Sequence, residues 1–266
     1  MKNSAISLIA ASIIVSSGVS ASDISEPAGG FAPSSATSSS KDSSALTGKP
    51  VTEVKNTKRN IQAKFGKFNQ NGANQFEVAM LKNEGGKLII KSSTLNSETT
   101  MNAVEQKGSN SFMTAGIYTS GGETTIKDFQ AKNVVKVDQF KQYGSNSFGV
   151  GNMKNKNGEF KSEGDKKDVN VEIKSIMQKG ENLASIAEEI VMNGGRSTSK
   201  NNEKSVKVTM NKFSQTGKNS FTVGTEKNDG GEYFASNNRT NIDFSATSVE
   251  QDGENSTAIG GTETKK

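Results

Sequence analysis

The stretch FNQNGANQFEV, residues 68–78, holds the pattern on which the fold depends. Its even-numbered positions are Phe68, Gln70, Gly72, Asn74, Phe76 and Val78, and its odd-numbered positions are polar or small. Successive side chains of an extended chain point to opposite faces, so the even set shares one face. That face is apolar at both ends and carries two amides around a glycine. Gly72 marks a turn, because glycine accepts backbone angles that other residues resist. The unit reads as strand, turn, strand, with Gln70 and Asn74 directed inward.

The motif Gln-x-Gly-x-Asn returns at Gln106, Gly108 and Asn110; at Gln142, Gly144 and Asn146; at Gln178, Gly180 and Asn182; at Gln215, Gly217 and Asn219; and at Gln251, Gly253 and Asn255. The steps are 36, 36, 36, 37 and 36 residues. Self-similarity at such a period marks a solenoid, propeller or array. The flanks repeat as well. Two residues before each Gln stand Phe68, Val104, Phe140, Ile176, Phe213 and Val249, and two after each Asn stand Phe76, Phe112, Phe148, Ala184, Phe221 and Thr257. Phe68, Phe76, Phe112, Phe140, Phe148, Phe213 and Phe221 are therefore the expected core.

A second alternating stretch precedes each Gln, as in Val171 and Ile173 or Val206, Val208 and Met210, but with the opposite parity. A parity change requires a bulge or bend between the two parts. Gly85-Gly86, Gly121-Gly122, Asn157-Gly158, Asn193-Gly194 and Gly230-Gly231 then mark a further turn, followed by a weaker, more polar stretch such as Lys87 to Ser92. A helical reading fails on the Gly, Asn and β-branched residues in every copy. Glu181 to Met192 looks locally helical, yet its alignment with the other copies assigns it to strand. The expected fold is all-β: a β-solenoid of six strand-turn-strand repeats of about 36 residues.

Inward amides set how the repeats stack. A buried amide is costly unless it is hydrogen-bonded. One Gln per layer, with layers roughly 4.8 Å apart, lets each side chain bond to the copies above and below. Gln70, Gln106, Gln142, Gln178, Gln215 and Gln251 should form one ladder and the matching Asn residues a second, in parallel register. A single repeat has no such partner, so stability must grow with the number of rungs. The first repeat is as well formed as the inner ones, and little chain follows Ile259. Two uncovered ends predict head-to-tail stacking of whole molecules, which does not close on itself.

Composition narrows the function. The chain holds 266 residues with no His, Cys or Trp, which leaves no thiol nucleophile, no Ser-His pair and no disulfide framework. No catalytic, cofactor or metal residue is assigned. The net charge of +5 is spread over interspersed Lys and Glu and reads as a solvated surface, so no nucleic acid is expected as a partner. Asp165, Lys166, Lys167 and Asp168 form one charge run, expected to be a solvated loop between repeats.

Lys2, the apolar run from Ala5 to Val15 and the small residues Val19-Ser20-Ala21 form a secretory signal peptide over residues 1–21. The run is too short to span a bilayer, so an exported chain without membrane insertion is expected. Residues 22–58, rich in Ser and carrying Pro27, Pro33 and Pro50, read as a disordered leader before a solenoid over 59–266.

The tandem Gln-x-Gly-x-Asn-x-apolar units resemble curlin, the subunit of bacterial curli fibres. The resemblance covers roughly residues 60–260, with a longer period that leaves room for a third strand. It implies a functional amyloid of the extracellular matrix that works in biofilm formation and cell adhesion. It also implies two partners besides the chain itself, a nucleator and an outer-membrane secretion channel. The alternative on the same fold is a monomeric adhesin or surface-binding module. A polysaccharide-cleaving enzyme would need a break in repeat regularity, and the period hardly varies.

Overall fold

Each repeat passes through four strands before the chain returns one layer further on. The computed structural model describes Ile14–Val15 and residues 51–265. The third rung is typical, with Glu123–Lys127, the long strand Gln130–Gly144, and the short strands Ser147–Val150 and Met153–Lys156. Six such rungs run from Val51 to Lys265, and equivalent strands pair in parallel into four sheets, one strand per rung in each. No helix occurs among the described residues, and the protein is a β-solenoid. Four strands per rung exceeds the two or three that the repeat suggested, because both stretches after the Phe-Val positions are strands too.

The register follows the repeat. Gln70 lies opposite Gln106, then Gln142, Gln178, Gln215 and Gln251, and the glycines and phenylalanines of the motif align in the same way. The expected parity change falls within the long strand. Val135 and Val137 are buried, Gln139 is exposed, and Phe140 and Gln142 are buried. The pairing passes over Gly66, Asn102, Asp138, Lys174, Asn211 and Thr247 at that point in the six copies. One bend per rung thus turns the face on which inward residues sit. Leu183–Ile186 and Glu189–Met192 are strands, as their alignment required.

Corners are made by left-handed residues in columns. Between the two short strands stand Ala79, Ala115, Gly151, Ala187, Gly224 and Gly260, with φ between 53° and 67°. Between the five-residue strand and the long strand stand Asn56, Ser92, Asp128, Gly164, Asn201 and Asn237, with φ between 46° and 69°. Ala and Ser in this region are strained, so each corner is held by the strands around it.

The corners divide the interior into two cores. The larger holds the predicted phenylalanines with Val78, Val150, Ile186 and Val223, and the rings of Phe76, Phe112 and Phe148 stack 5.2 and 5.6 Å apart. Ala184 interrupts this column in the fourth rung. The smaller core lies between the five-residue strands and the first half of the long strands. It contains Leu88, Ile90, Leu95, Ile126, Phe129 and Phe160.

Val51–Lys55 is a strand, paired with Lys87–Lys91, so the solenoid already includes Val51, inside the stretch read as leader. Alternation of Val51, Glu53 and Lys55 with inward Thr52 and Val54 carries it. Residues 1–50, the signal segment and most of the leader, lie outside the described residues, except Ile14–Val15, which pairs antiparallel with Gln75–Val78 of the first rung.

Candidate functional site: the amide ladders and the two ends

Both ladders form over all six rungs, and each has a direction. Gln106 Nε2 donates to Gln70 Oε1 at 2.5 Å, Gln142 to Gln106 at 2.7 Å, Gln178 to Gln142 at 2.6 Å, Gln215 to Gln178 at 2.8 Å and Gln251 to Gln215 at 2.6 Å. Each of these five glutamines donates toward the N-terminal end. The asparagines run the other way: Asn74, Asn110, Asn146 and Asn182 each donate Nδ2 to the Oδ1 of the next rung at 2.9 Å, and Asn219 to Asn255 at 2.8 Å.

Contacts to the backbone set the asparagine direction. Asn146 Nδ2 also donates to the Tyr143 carbonyl at 2.9 Å, and its Oδ1 also accepts the Asn110 backbone N–H at 3.2 Å. Only an amide with its oxygen toward the preceding rung satisfies both. Gln106, Gln142, Gln178 and Gln215 are fully buried, so each amide must be met by its neighbours.

The motif glycines stand in a column of their own. Their φ values run from 93° to 107°, and a Cβ on Gly144 would lie 2.6 Å from the Gly108 carbonyl oxygen. Both the angle and the close stacking of one rung on the next require glycine.

The two ends differ. In the last rung Val249 is 54% exposed and Ile259 45%, although their counterparts are buried in every earlier rung. Gln251 is exposed as well, and its Oε1 accepts no bond among the described residues. This end is uncovered, as expected. In the first rung Phe68, Gln70 and Phe76 are buried, and Ile14–Val15 pairs on the edge of Gln75–Val78. At this end the strand edge recruits an apolar segment of the stretch read as signal peptide, as unpaired edges do, whereas the expectation of two uncovered ends concerns the exported chain without it. Gln70 Nε2 is buried there without a hydrogen-bond partner.

Two further polar columns lie in the interior. Asn83 donates to the Gly86 and Glu123 carbonyls at 3.1 and 2.8 Å, and Asn155 makes the same contacts to Gly158 and Arg196 at 3.0 and 2.9 Å. Asp165, Asn202 and Asn238 each accept the backbone N–H of the preceding rung, from Phe129, Asp165 and Asn202, at 2.8 to 3.0 Å. Their spacing was visible in the sequence, but Thr119, Val191, Ser93 and Phe129 interrupt both columns and hide them.

The charge run at 165–168 is not a solvated loop. Lys166 and Asp168 are exposed on the long strand, while Asp165 and Lys167 turn inward. They belong to a polar end of the smaller core. Leu95 and Ala131 give way to Lys167 and Lys204 in one column, and Leu81, Ile117 and Met153 to Glu189 and Glu226 in another. Lys204 Nζ lies 3.2 Å from Glu189 Oε1, and the Tyr233 hydroxyl donates to Glu189 Oε2 at 3.2 Å. Burial opposes ionisation of Glu189, but Lys204 and Lys167 outweigh it and hold the carboxyl below its usual range. Burial pushes Asp165 up to about 6, and burial with the charge of Lys204 pulls Lys167 down to about 8, Glu189 opposing.

Lys167 therefore costs stability while it is charged. The folded ammonium loses its proton near 8, the unfolded one at its ordinary 10.5, so this group's contribution improves as pH rises between them. Lys167→Leu, the residue type of Leu95 in the same column, is expected to stabilise the fold by about 1–2 kcal/mol at pH 7. The gain should shrink at pH 10. Urea unfolding at both values checks it, and no gain at pH 7 would mean that the ammonium is well solvated or paired.

No protein-family model, no curated protein and no solved structure matches the chain.

Proposed function

We propose that this chain is a secreted structural subunit that stacks into extracellular, amyloid-like fibres of the curlin type, which serve biofilm matrix and surface adhesion. The observation that carries the reading is the unfinished last rung. Val249, Gln251 and Ile259 occupy positions that are buried in the inner rungs, yet here they face solvent. Each would be covered by one more rung in the same register, and no other arrangement continues both amide ladders. Apolar surface and unpaired strand edges on one face favour a partner of the same pattern. A nucleator, a secretion channel and the absence of catalysis belong to the same proposal.

The test is assembly of the purified chain from Ser22, followed by thioflavin T fluorescence and fibre diffraction. The expected result is unbranched fibres with a meridional reflection near roughly 4.7–4.8 Å. A β-rich monomer that stays in the supernatant at high concentration would overturn the fibre and leave a surface-binding module on the same solenoid.

A further inference from the structure

The two ends carry opposite charge. The first rung, residues 51–86, holds Lys55, Lys58, Arg59, Lys64, Lys67 and Lys82 against Glu53, Glu77 and Glu84, a net charge of +3. Residues 232–266, which include the last rung, hold Glu232, Asp243, Glu250, Asp252, Glu254 and Glu263 against Arg239, Lys265 and Lys266, a net charge of −3. The long strand of the first rung contains no acidic residue at all. Its Lys58, Lys64 and Lys67 are exposed, and none has an acidic partner within 4 Å among the described residues.

Inside the molecule, such charges meet across neighbouring rungs. Lys166 lies 3.1 Å from Glu203, Lys174 2.8 Å from Asp138 and Lys218 3.3 Å from Glu254. If the first rung of a second copy continued the register beyond the sixth, Lys82 would fall opposite Glu263. Lys64 would lie one pleat diagonally from Asp243, and Lys67 from Glu250. Diagonal neighbours on one sheet face are within reach of long side chains.

Hydrogen-bond polarity points the same way. The first rung presents Gln70 Nε2, a buried donor with no partner. The last rung presents Gln251 Oε1, an acceptor with no partner among the described residues. Among the described residues Asn255 Nδ2 bonds only the Asp252 carbonyl, whereas Asn146 Nδ2 in mid-ladder makes two bonds. Its spare hydrogen faces the side on which Asn74 Oδ1 of a following copy would stand. Pairing like ends with glutamine over glutamine would instead set +3 against +3 with donor against donor, or −3 against −3 with acceptor against acceptor.

We infer that a second copy of this chain docks its basic first rung on the acidic sixth rung, so that growth is unidirectional and steered by charge. The inference rests on the fibre reading above and adds the orientation, the contacting residues and the salt dependence. Ile14–Val15 occupies part of the first-rung edge, and it lies in the segment expected to be removed on export. The chain from Ser22 retains all six rungs and presents that edge.

The experiment uses two variants of the chain from Ser22. One reverses the acidic end with Asp243→Lys, Glu250→Lys and Asp252→Lys; the other reverses the basic end with Lys58→Glu, Lys64→Glu and Lys67→Glu. All six positions are exposed, and circular dichroism verifies that both variants fold. Each variant alone then carries like charge at both ends, and at low salt its seeded elongation is expected to be at least about tenfold slower than that of the unaltered chain. An equimolar mixture should recover most of the rate, because the reversed tail of one fits the reversed head of the other. High salt should narrow the difference. Variants that elongate normally, or a mixture no faster than its components, would overturn the docking while the fibre stands. An unaltered chain that never elongates would overturn the fibre reading itself.

Discussion

Gly144→Ala is expected to destabilise the solenoid by about 3 kcal/mol or more, one of the largest effects of any single methyl group in this chain. Two costs coincide at this position. Its φ of 100° lies where L-residues rarely go, and the added Cβ would stand 2.6 Å from the Gly108 carbonyl oxygen. Relief requires the third rung to move away from the second, which lengthens the ladder bonds on either side of it. Gly121 provides the control. Its φ of 65° is also left-handed, but a Cβ there meets nothing within 4 Å, and Asn157 fills the equivalent corner one rung later with φ 53°. Gly121→Asn is therefore expected to cost less than about 1 kcal/mol. Urea unfolding of both variants measures the contrast. Equal losses would mean that backbone angle alone, and not the close stacking of the glycine column, sets the requirement.

Asn146→Ala is the second. This side chain donates to Tyr143 O and Asn182 Oδ1 and accepts from the Asn110 backbone N–H and Asn110 Nδ2. Removing it strands several buried groups at once, and leaving a buried donor or acceptor unmet costs about 1–3 kcal/mol each. Neighbouring groups share the loss, so a total of about 3 kcal/mol is expected. Lys141→Ala, an outward residue of the same rung, should change stability by less than about 0.5 kcal/mol. On the fibre reading, seeded elongation should slow in the same order. If the two substitutions proved equal, the ladders would be incidental to the fold.

Much of this architecture is legible because β-structure has a short period. Phe68, Gln70, Asn74 and Phe76 share a parity, and that alone puts them on one face. Recurrence in phase at near-constant spacing then puts each above its copy. The reversal of parity between Val137 and Phe140 could be placed to within a residue or two, since a one-residue slip exchanges the faces. Asp165 and Lys167 were not legible. Charged residues at the seam between repeats look solvated, and they become interior only because the left-handed corner at Gly164 turns the long strand back over the five-residue strand.

The sequence by itself determined the number of rungs, the register of their stacking, the composition of the larger core and the amide columns, because each follows from one-dimensional phase. The tertiary structure alone decided that a rung has four strands, that a smaller core changes from apolar to ionic along the axis, and that the two ladders point in opposite directions. These depend on corner geometry and on which backbone group each amide meets, and such contacts join residues whose spacing carries no common phase. The charges of the first and last rungs could be counted from the residues, but only the stacked structure makes them the two ends of one object.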